Sequence, residues 1–134
     1  MAAFEGGCLC GAIRYRVTGD PVDQTHCHCV TCRKSAGAAY LTWVTFPMAA
    51  FAFTKGEPAV YRSSDKAARS FCNQCGTQLL FDMFAKPDEI DITTASMDDP
   101  AHPALAPKDH IWMQSHLPWA PVGDIPTWPR WRQS

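Results

Sequence analysis

The sequence predicts a mainly β protein with little helix, built as one domain over residues 1–134. Eleven prolines and eight glycines disfavour long helices, because helix interiors tolerate neither residue well. Short runs of alternating apolar and polar residues recur along the chain, as expected of half-buried strands. Seven cysteines lie in three tight clusters, a spacing typical of zinc sites that hold a small core together.

The alternation of apolar and polar residues locates the strands. The first is predicted over residues 12–18, where Ile13, Tyr15 and Val17 alternate with polar side chains. The strands that follow are predicted near residues 39–46, 50–54, 59–72 (a hairpin), 77–83 and 89–95. Helix is predicted only as one short turn at residues 33–36.

Composition and charge exclude several classes of protein. A chain that is 46% hydrophobic and 19% charged is too apolar to be disordered. Twelve Lys and Arg against thirteen Asp and Glu leave no basic excess for nucleic acid. No residue between Lys34 and Lys55 is charged, but Pro47 interrupts this stretch and its aromatic residues favour strands over a membrane span. The amino terminus lacks a basic and apolar leader, so we expect a soluble cytoplasmic protein.

The last third of the chain differs from the rest. Seven of the eleven prolines and four of the five tryptophans follow residue 99. Such a proline-rich segment cannot supply a central strand or helix. We expect its tryptophans to hold an irregular segment across the sheet, or to line a cleft or the surface of a homodimer (Trp112, Trp119, Trp128 and Trp131).

Zinc explains the cysteine spacing better than disulfides do. An odd number of cysteines would leave one thiol over, and neighbours one or two residues apart make strained bridges. Cys72-x-x-Cys75 is followed by Gly76, which suits a tight metal-binding turn. Cys8-x-Cys10 lies between glycines and is the natural second half of the site. These residues predict a closed site with four cysteine ligands.

Three cysteines then remain: Cys27, Cys29 and Cys32. Three protein ligands and one open position are typical of a reactive zinc site. The alternative is a single metal site, with these three cysteines buried and unligated. His26 and His28 flank Cys27, and each is either a fourth ligand or an imidazole outside the ligand shell.

The residues after this cluster offer two further candidates. Arg33 and Lys34 either offset the negative charge of the thiolates and pair with a carboxylate of a bound thiol, or form a solvated basic turn. Tyr40 and Trp43 either line the pocket or belong to the core.

The three cysteine motifs, in this order, resemble those of the glutathione-dependent formaldehyde-activating enzyme (GFA) family: Gly7-Cys8-x-Cys10-Gly11, Cys27-His28-Cys29-x-x-Cys32-Arg33-Lys34 and Phe71-Cys72-x-x-Cys75-Gly76. The stretch from Asp109 to Pro126 is also similar to that family. The resemblance implies an Mss4-like fold of twisted antiparallel sheets. It also implies two zinc ions, one structural (Cys8, Cys10, Cys72 and Cys75) and one catalytic (Cys27, Cys29 and Cys32).

The resemblance further implies a carbon–sulfur lyase that condenses glutathione with formaldehyde to S-(hydroxymethyl)glutathione. Zinc held by three thiolates is a weak Lewis acid, suited to taking a fourth thiolate at its open position. We therefore expect glutathione or a similar thiol, and a small aldehyde, as partners. The alternatives are a non-enzymatic zinc module for protein interaction and a zinc–thiolate redox sensor.

Overall fold

Ten short strands and one short α-helix make up the structure, a computed structural model that describes residues 2–132. The strands are β1 (Ala3–Gly7), β2 (Arg14–Thr18), β3 (Asp23–Cys27), β4 (Leu41–Pro47), β5 (Phe51–Lys55), β6 (Ala59–Ser64), β7 (Ala67–Phe71), β8 (Gln78–Met83), β9 (Glu89–Thr93) and β10 (His110–Ile111). The helix, α1 (Val30–Ala36), follows β3. Single turns of 3-10 helix lie at Met48–Ala50, Thr94–Ser96, Pro103–Leu105 and Met113–Ser115.

The strands form two sheets. The smaller sheet has the order β1-β2-β5 and is antiparallel. The larger has the order β10-β3-β4-β9-β8-β7-β6, and only the pair of β10 with β3 is parallel. A β-bridge between Gly6 and Met97 joins the end of β1 to the segment after β9.

The main core contains residues from both sheets. Its members include Phe4, Tyr15, Val17, Phe46, Leu79, Ile90, Ile92 and Leu105. Tyr15 is fully buried, and its hydroxyl lies 2.7 Å from Ser96 Oγ. Burial raises the pKa of Tyr15 to about 12, so the phenol stays neutral. A Cβ on Gly6 would lie 2.4 Å from that hydroxyl, which explains why this position of β1 needs glycine.

A second, smaller apolar cluster lies beside β3 and β4. Its buried members are Cys27, Cys32, Trp43 and Ile111, and Phe81 and Trp128 pack against it. Cys27 and Cys32 therefore lie in an apolar environment, as Cys8 and Cys72 do in the main core, and burial limits the access of water to their sulfurs.

The predicted mainly β class with little helix is confirmed, and each predicted strand corresponds to an observed one. The helix is longer than the predicted turn, since it begins at Val30. The sequence analysis missed β1, β3 and β10. The residues of β3, Asp-Gln-Thr-His-Cys, show no apolar alternation. This strand lies between β4 and β10, and these neighbours satisfy its backbone hydrogen bonds.

The C-terminal segment is irregular, as predicted, and a buried carboxylate fixes it. Asp109 accepts hydrogen bonds from Thr25 Oγ1 (2.6 Å), Trp128 Nε1 (3.1 Å) and Arg132 Nη2 (2.9 Å). Burial favours the neutral carboxyl, but the bonds from Arg132 and Thr25 outweigh it and hold the pKa of Asp109 below its ordinary value.

Trp128 packs against the cluster beside β3, whereas Trp119 is 72% exposed. The tryptophans thus divide between holding the segment and facing solvent. No helix within residues 2–132 is long and apolar enough to cross a bilayer.

Candidate metal centres

The first candidate centre forms where two turns meet. Cys8 and Cys10 follow β1, and Cys72 and Cys75 lie in the connection from β7 to β8. Their four sulfurs lie within 4.8 Å of one another; Cys10 Sγ is 3.6 Å from Cys8 Sγ and 3.8 Å from Cys72 Sγ. Four converging thiols at these separations are a donor set that suits tetrahedral zinc.

The backbone around this centre directs donors at the sulfurs. Cys8 Sγ accepts a hydrogen bond from the N–H of Ile13 at 3.3 Å, and Cys72 Sγ accepts one from the N–H of Cys75 at 3.4 Å. The N–H of Leu9 donates to Thr77 Oγ1 at 3.0 Å. This hydrogen bond joins the turn that carries Cys8 and Cys10 to the turn that carries Cys72 and Cys75. Gly76 has a φ of 82°, the left-handed conformation that glycine adopts without strain.

The four thiols do not ionise alike. Hydrogen bonds from the Thr77 hydroxyl and backbone lower the pKa of Cys75 to about 5. A backbone hydrogen bond at Ala12 favours the Cys10 thiolate, but Cys8 and the other neighbouring sulfurs outweigh it and raise the pKa of Cys10 to about 11. Four sulfurs this close lose all their protons only when a cation offsets the charge, as a metal ion does.

The second candidate centre is local in sequence. Cys27 ends β3, Cys29 is the N-cap of α1, and Cys32 lies in the first turn of that helix. Their sulfurs also lie within 4.8 Å of one another. Cys29 Sγ accepts a hydrogen bond from the N–H of Cys32 at 3.3 Å and lies 3.1 Å from Thr31 Oγ1. Cys27 and Cys32 are buried, and Cys29 is half-buried.

These three thiols differ in how readily they ionise to the thiolate. Hydrogen bonds from Cys27 and Cys32 lower the pKa of Cys29. Hydrogen bonding to Cys29 and to Cys32, with burial, raises the pKa of Cys27. Cys29, whose side chain solvent reaches best, is therefore the thiol of this group that ionises first.

The positive charge beside the second centre comes from Arg69 on β7. This side chain is only 5% exposed, and its Nη2 lies 3.6 Å from Cys32 Sγ. Its guanidinium carbon lies 4.7 Å from the centre of the Phe81 ring. A buried guanidinium offsets part of the charge of neighbouring thiolates. Sequence reasoning missed Arg69, because 37 residues separate it from Cys32 and only the sheet brings them together.

Arg33 and Lys34, which the sequence analysis singled out, lie on α1. Arg33 is half-buried and Lys34 is exposed. Lys34 lines a groove together with Thr31, whose hydroxyl lies 3.1 Å from Cys29 Sγ.

The histidines beside the cysteines form a separate cluster. Within the described chain, no His, Asp or Glu joins the group formed by Cys27, Cys29 and Cys32. His28 is fully buried, and its Nε2 lies 2.8 Å from His110 Nδ1. His110 Nε2 donates to the carbonyl of Val122 at 2.8 Å, so His110 Nδ1 accepts the bond from His28. Burial, and repulsion from His110, lower the pKa of His28 to about 4, so the imidazole is neutral near pH 7.

The two aromatic candidates have different surroundings. Trp43 is buried in the apolar cluster with Cys27 and Cys32. Tyr40 is half-buried, and its ring contacts those of His26 and His28. Trp43 therefore belongs to the core that flanks the second centre, and Tyr40 belongs to the histidine cluster.

A mainly β scaffold with one group of four thiols and one group of three defines a protein with two candidate metal centres. Residues 3–115 match the model of the glutathione-dependent formaldehyde-activating enzyme family. Because the match covers most of the chain, this protein belongs to that family, as its motifs predicted.

A relative named for this family agrees with the assignment, and a solved structure shares the fold. An uncharacterized lyase of Schizosaccharomyces pombe is 37% identical over 89 residues, which are 60% of this chain and 58% of the relative. A Halomonas elongata protein, named a "Putative glutathione-dependent formaldehyde-activating enzyme", is 27% identical over 89% of this chain and 80% of the relative. A crystal structure of a Rhodobacter sphaeroides protein superposes with a TM-score of 0.59 at 18% identity, over 92% of this chain and 98% of that one, which shows a shared fold.

Proposed function

We propose that this protein is a zinc-dependent carbon–sulfur lyase that adds glutathione, or a similar thiol, to formaldehyde or another small aldehyde. The observation that carries the proposal is the contrast between the two cysteine groups. One group has four sulfurs, a complete tetrahedral set, and the other has three, with no further His, Cys, Asp or Glu of residues 2–132 beside them. Three ligands leave a coordination position for a substrate thiol.

The proposed roles follow from the donor sets. Cys8, Cys10, Cys72 and Cys75 would hold a structural zinc ion, and Cys27, Cys29 and Cys32 would hold a catalytic one. Zinc at the second centre would lower the pKa of a thiol that binds it, so that a thiolate is available near neutral pH.

The protein's own residues prepare the site for this thiol. The Arg69 guanidinium, 3.6 Å from Cys32 Sγ, reduces the net negative charge that an incoming thiolate meets. Trp43 and Ile111 cover the buried side of the cluster and exclude water from it. In the reaction the thiol sulfur forms a bond to the carbonyl carbon. The electron pair of the broken C=O π bond moves to the oxygen, which takes the proton that the thiol gave up.

Calorimetric titration of protein with both metals loaded tests the proposal. Glutathione is expected to bind once per chain, and S-methylglutathione, which has no free thiol, is expected not to bind. A ¹³C-formaldehyde exchange measurement should show faster formation of the hydroxymethyl thioether with wild-type protein than with Cys29→Ser. Absence of glutathione binding at a metal content of two per chain would contradict the proposal.

A further inference from the structure

His28 lies between two of the candidate ligands, and β10 holds it at two points. Its backbone N–H donates to the carbonyl of Ile111 at 3.0 Å, and its ring Nε2 lies 2.8 Å from His110 Nδ1. Cys27 ends β3 and Cys29 caps α1, so His28 alone links the strand to the helix cap. Because each residue has only two soft backbone torsions, the conformation of His28 largely sets the directions of the two cysteines beside it.

His110, the partner of His28, is itself fixed by the C-terminal segment. Its backbone N–H donates to the carbonyl of Pro126 at 2.9 Å, and its carbonyl accepts from the N–H of Trp128 at 2.9 Å. Its ring Nε2 donates to the carbonyl of Val122 at 2.8 Å, which leaves Nδ1 as the acceptor for His28. The ring of His110 is therefore held from one side while it holds His28 on the other.

The position of His110 needs an imidazole. The neutral ring with its hydrogen on Nε2 carries a donor and an acceptor on different edges, so it joins the Val122 carbonyl to the N–H of His28. Asparagine offers an acceptor near the Nδ1 position, and glutamine offers a donor near the Nε2 position, but neither side chain joins both partners. Phenylalanine matches the ring size and offers neither group.

The other nitrogen of His28 adds no second hydrogen bond. His28 is fully buried, and its Nδ1 has no hydrogen-bond partner within residues 2–132. The bond to His110 is therefore the hydrogen bond that orients this ring within the described chain. Without it both nitrogens of a buried ring would be unpaired, which is unfavourable enough to move the ring and the backbone that carries it.

We infer that His110 is a positioning residue for the three-cysteine group: by holding His28, it sets the directions in which Cys27 and Cys29 present their sulfurs to a metal ion. The inference rests on one part of the proposed function, metal binding by the three cysteines. It does not depend on which thiol or aldehyde reacts there.

The zinc affinities of the two cysteine groups, measured in competition with a chromophoric chelator, test this role. His110→Phe keeps the ring size and removes both nitrogens, so we expect zinc to bind the three-cysteine group about tenfold more weakly. The affinity of the four-cysteine group should not change. His110→Asn keeps an acceptor for His28 and should recover most of the affinity. His110→Gln keeps only the donor for Val122 and should not recover it.

Val17→Ala is the matched control for a general loss of stability. Val17 is fully buried in the main core and lies on β2 of the other sheet, so this variant destabilises the fold without touching the bond between His28 and His110. It should keep the wild-type zinc affinities. Cobalt(II) gives a second measurement, because its visible absorption depends on the geometry of its ligands. The spectrum of cobalt at the three-cysteine group should change in His110→Phe and stay the same in Val17→Ala.

Wild-type zinc affinity of the three-cysteine group in His110→Phe, or an equal loss in Val17→Ala, would overturn the role of His110. Should His110→Phe not fold, His110→Asn and His110→Gln decide the question between them, and equal affinities in these two variants would overturn the assignment. Absence of a second metal ion from the wild-type protein would instead overturn the proposed function, and this inference with it. Failure of glutathione to bind a protein with both metals would contradict the proposed function alone.

Discussion

The two cysteine groups offer a metal the same ligand atom, the cysteine sulfur, but they differ in how far apart their members lie along the chain. The four-cysteine group joins residues 62 positions apart, Cys10 and Cys72, and so connects the N-terminal turn to a hairpin of the larger sheet. The three-cysteine group lies within one turn of chain, from Cys27 to Cys32. Closing a long loop costs more chain entropy than closing a short one, so a metal ion in the first group contributes more to folding.

The two cysteine groups also differ in the residues that surround them. Backbone N–H groups, a hydroxyl and the main core surround the first group, and its four sulfurs match a complete tetrahedral set. Beside the second group lie a buried cation, Arg69, an apolar wall and an open groove. This difference is what the proposed division of roles rests on: four sulfurs match a complete tetrahedral set, whereas three leave one coordination position open.

The largest expected effect is on stability, and it distinguishes the four-cysteine group from the three-cysteine group. Cys72→Ser removes a ligand that is 1% exposed and joins distant parts of the chain, so we expect loss of cooperative folding. Cys29→Ser should lose one metal ion per chain, keep its fold and cost about 1 kcal/mol in the free energy of unfolding. Metal analysis and thermal melts of both variants measure these effects. Equal loss of stability in the two variants would contradict the division of roles.

A smaller effect concerns metal affinity at the second group alone. Arg69→Met removes the cation beside Cys32 and keeps much of the side-chain volume, so we expect zinc to bind this group about 10- to 100-fold more weakly. Arg69→Lys keeps the charge and should recover part of the affinity. Competition with a chromophoric chelator resolves the two sites. Equal weakening of both sites would show that Arg69 acts on the whole fold.

The smallest effect tests the hydrogen bonds of Asp109, which fix the C-terminal segment beside β3 and β10. These two strands carry Cys27 and its neighbour Ile111. Asp109→Asn removes the charge that Arg132 pairs with and should cost about 1–2 kcal/mol at pH 7. The pKa of Asp109 is lower in the folded protein than in the unfolded chain. Its contribution is therefore complete above the unfolded pKa, about 4, and is lost as the pH falls through the folded value.

Urea unfolding from pH 7 to pH 3 measures this contribution as the difference in the free energy of unfolding between wild type and Asp109→Asn. Acid releases metal from both proteins alike, so that effect cancels in the difference. The difference should be constant above about pH 5 and shrink below pH 4. A difference that grows towards low pH would mean that the carboxyl is protonated in the folded state.

Local sequence patterns predicted most of the fold. Strands such as β2 and β9 alternate apolar and polar residues, because one face of each is buried. β3 has no such pattern, and only its neighbours β4 and β10 make it a strand. Gly6 illustrates the same limit: it leaves room for the Tyr15 hydroxyl, a role that follows from the pairing of β1 with β2 and has no signal in the local sequence.

The sequence by itself determined which thiols lie close within each short motif, because each turn fixes their spacing. Only the fold brings Cys8 and Cys10 to Cys72 and Cys75. The sequence also determined the family, since the three cysteine motifs occur in order along the chain. Only the tertiary structure decided what surrounds each group. Arg69 is 37 residues from Cys32, and His110 is 82 residues from His28. Pairing of the strands brings them together, and the backbone hydrogen bonds that pair strands carry no local sequence signal.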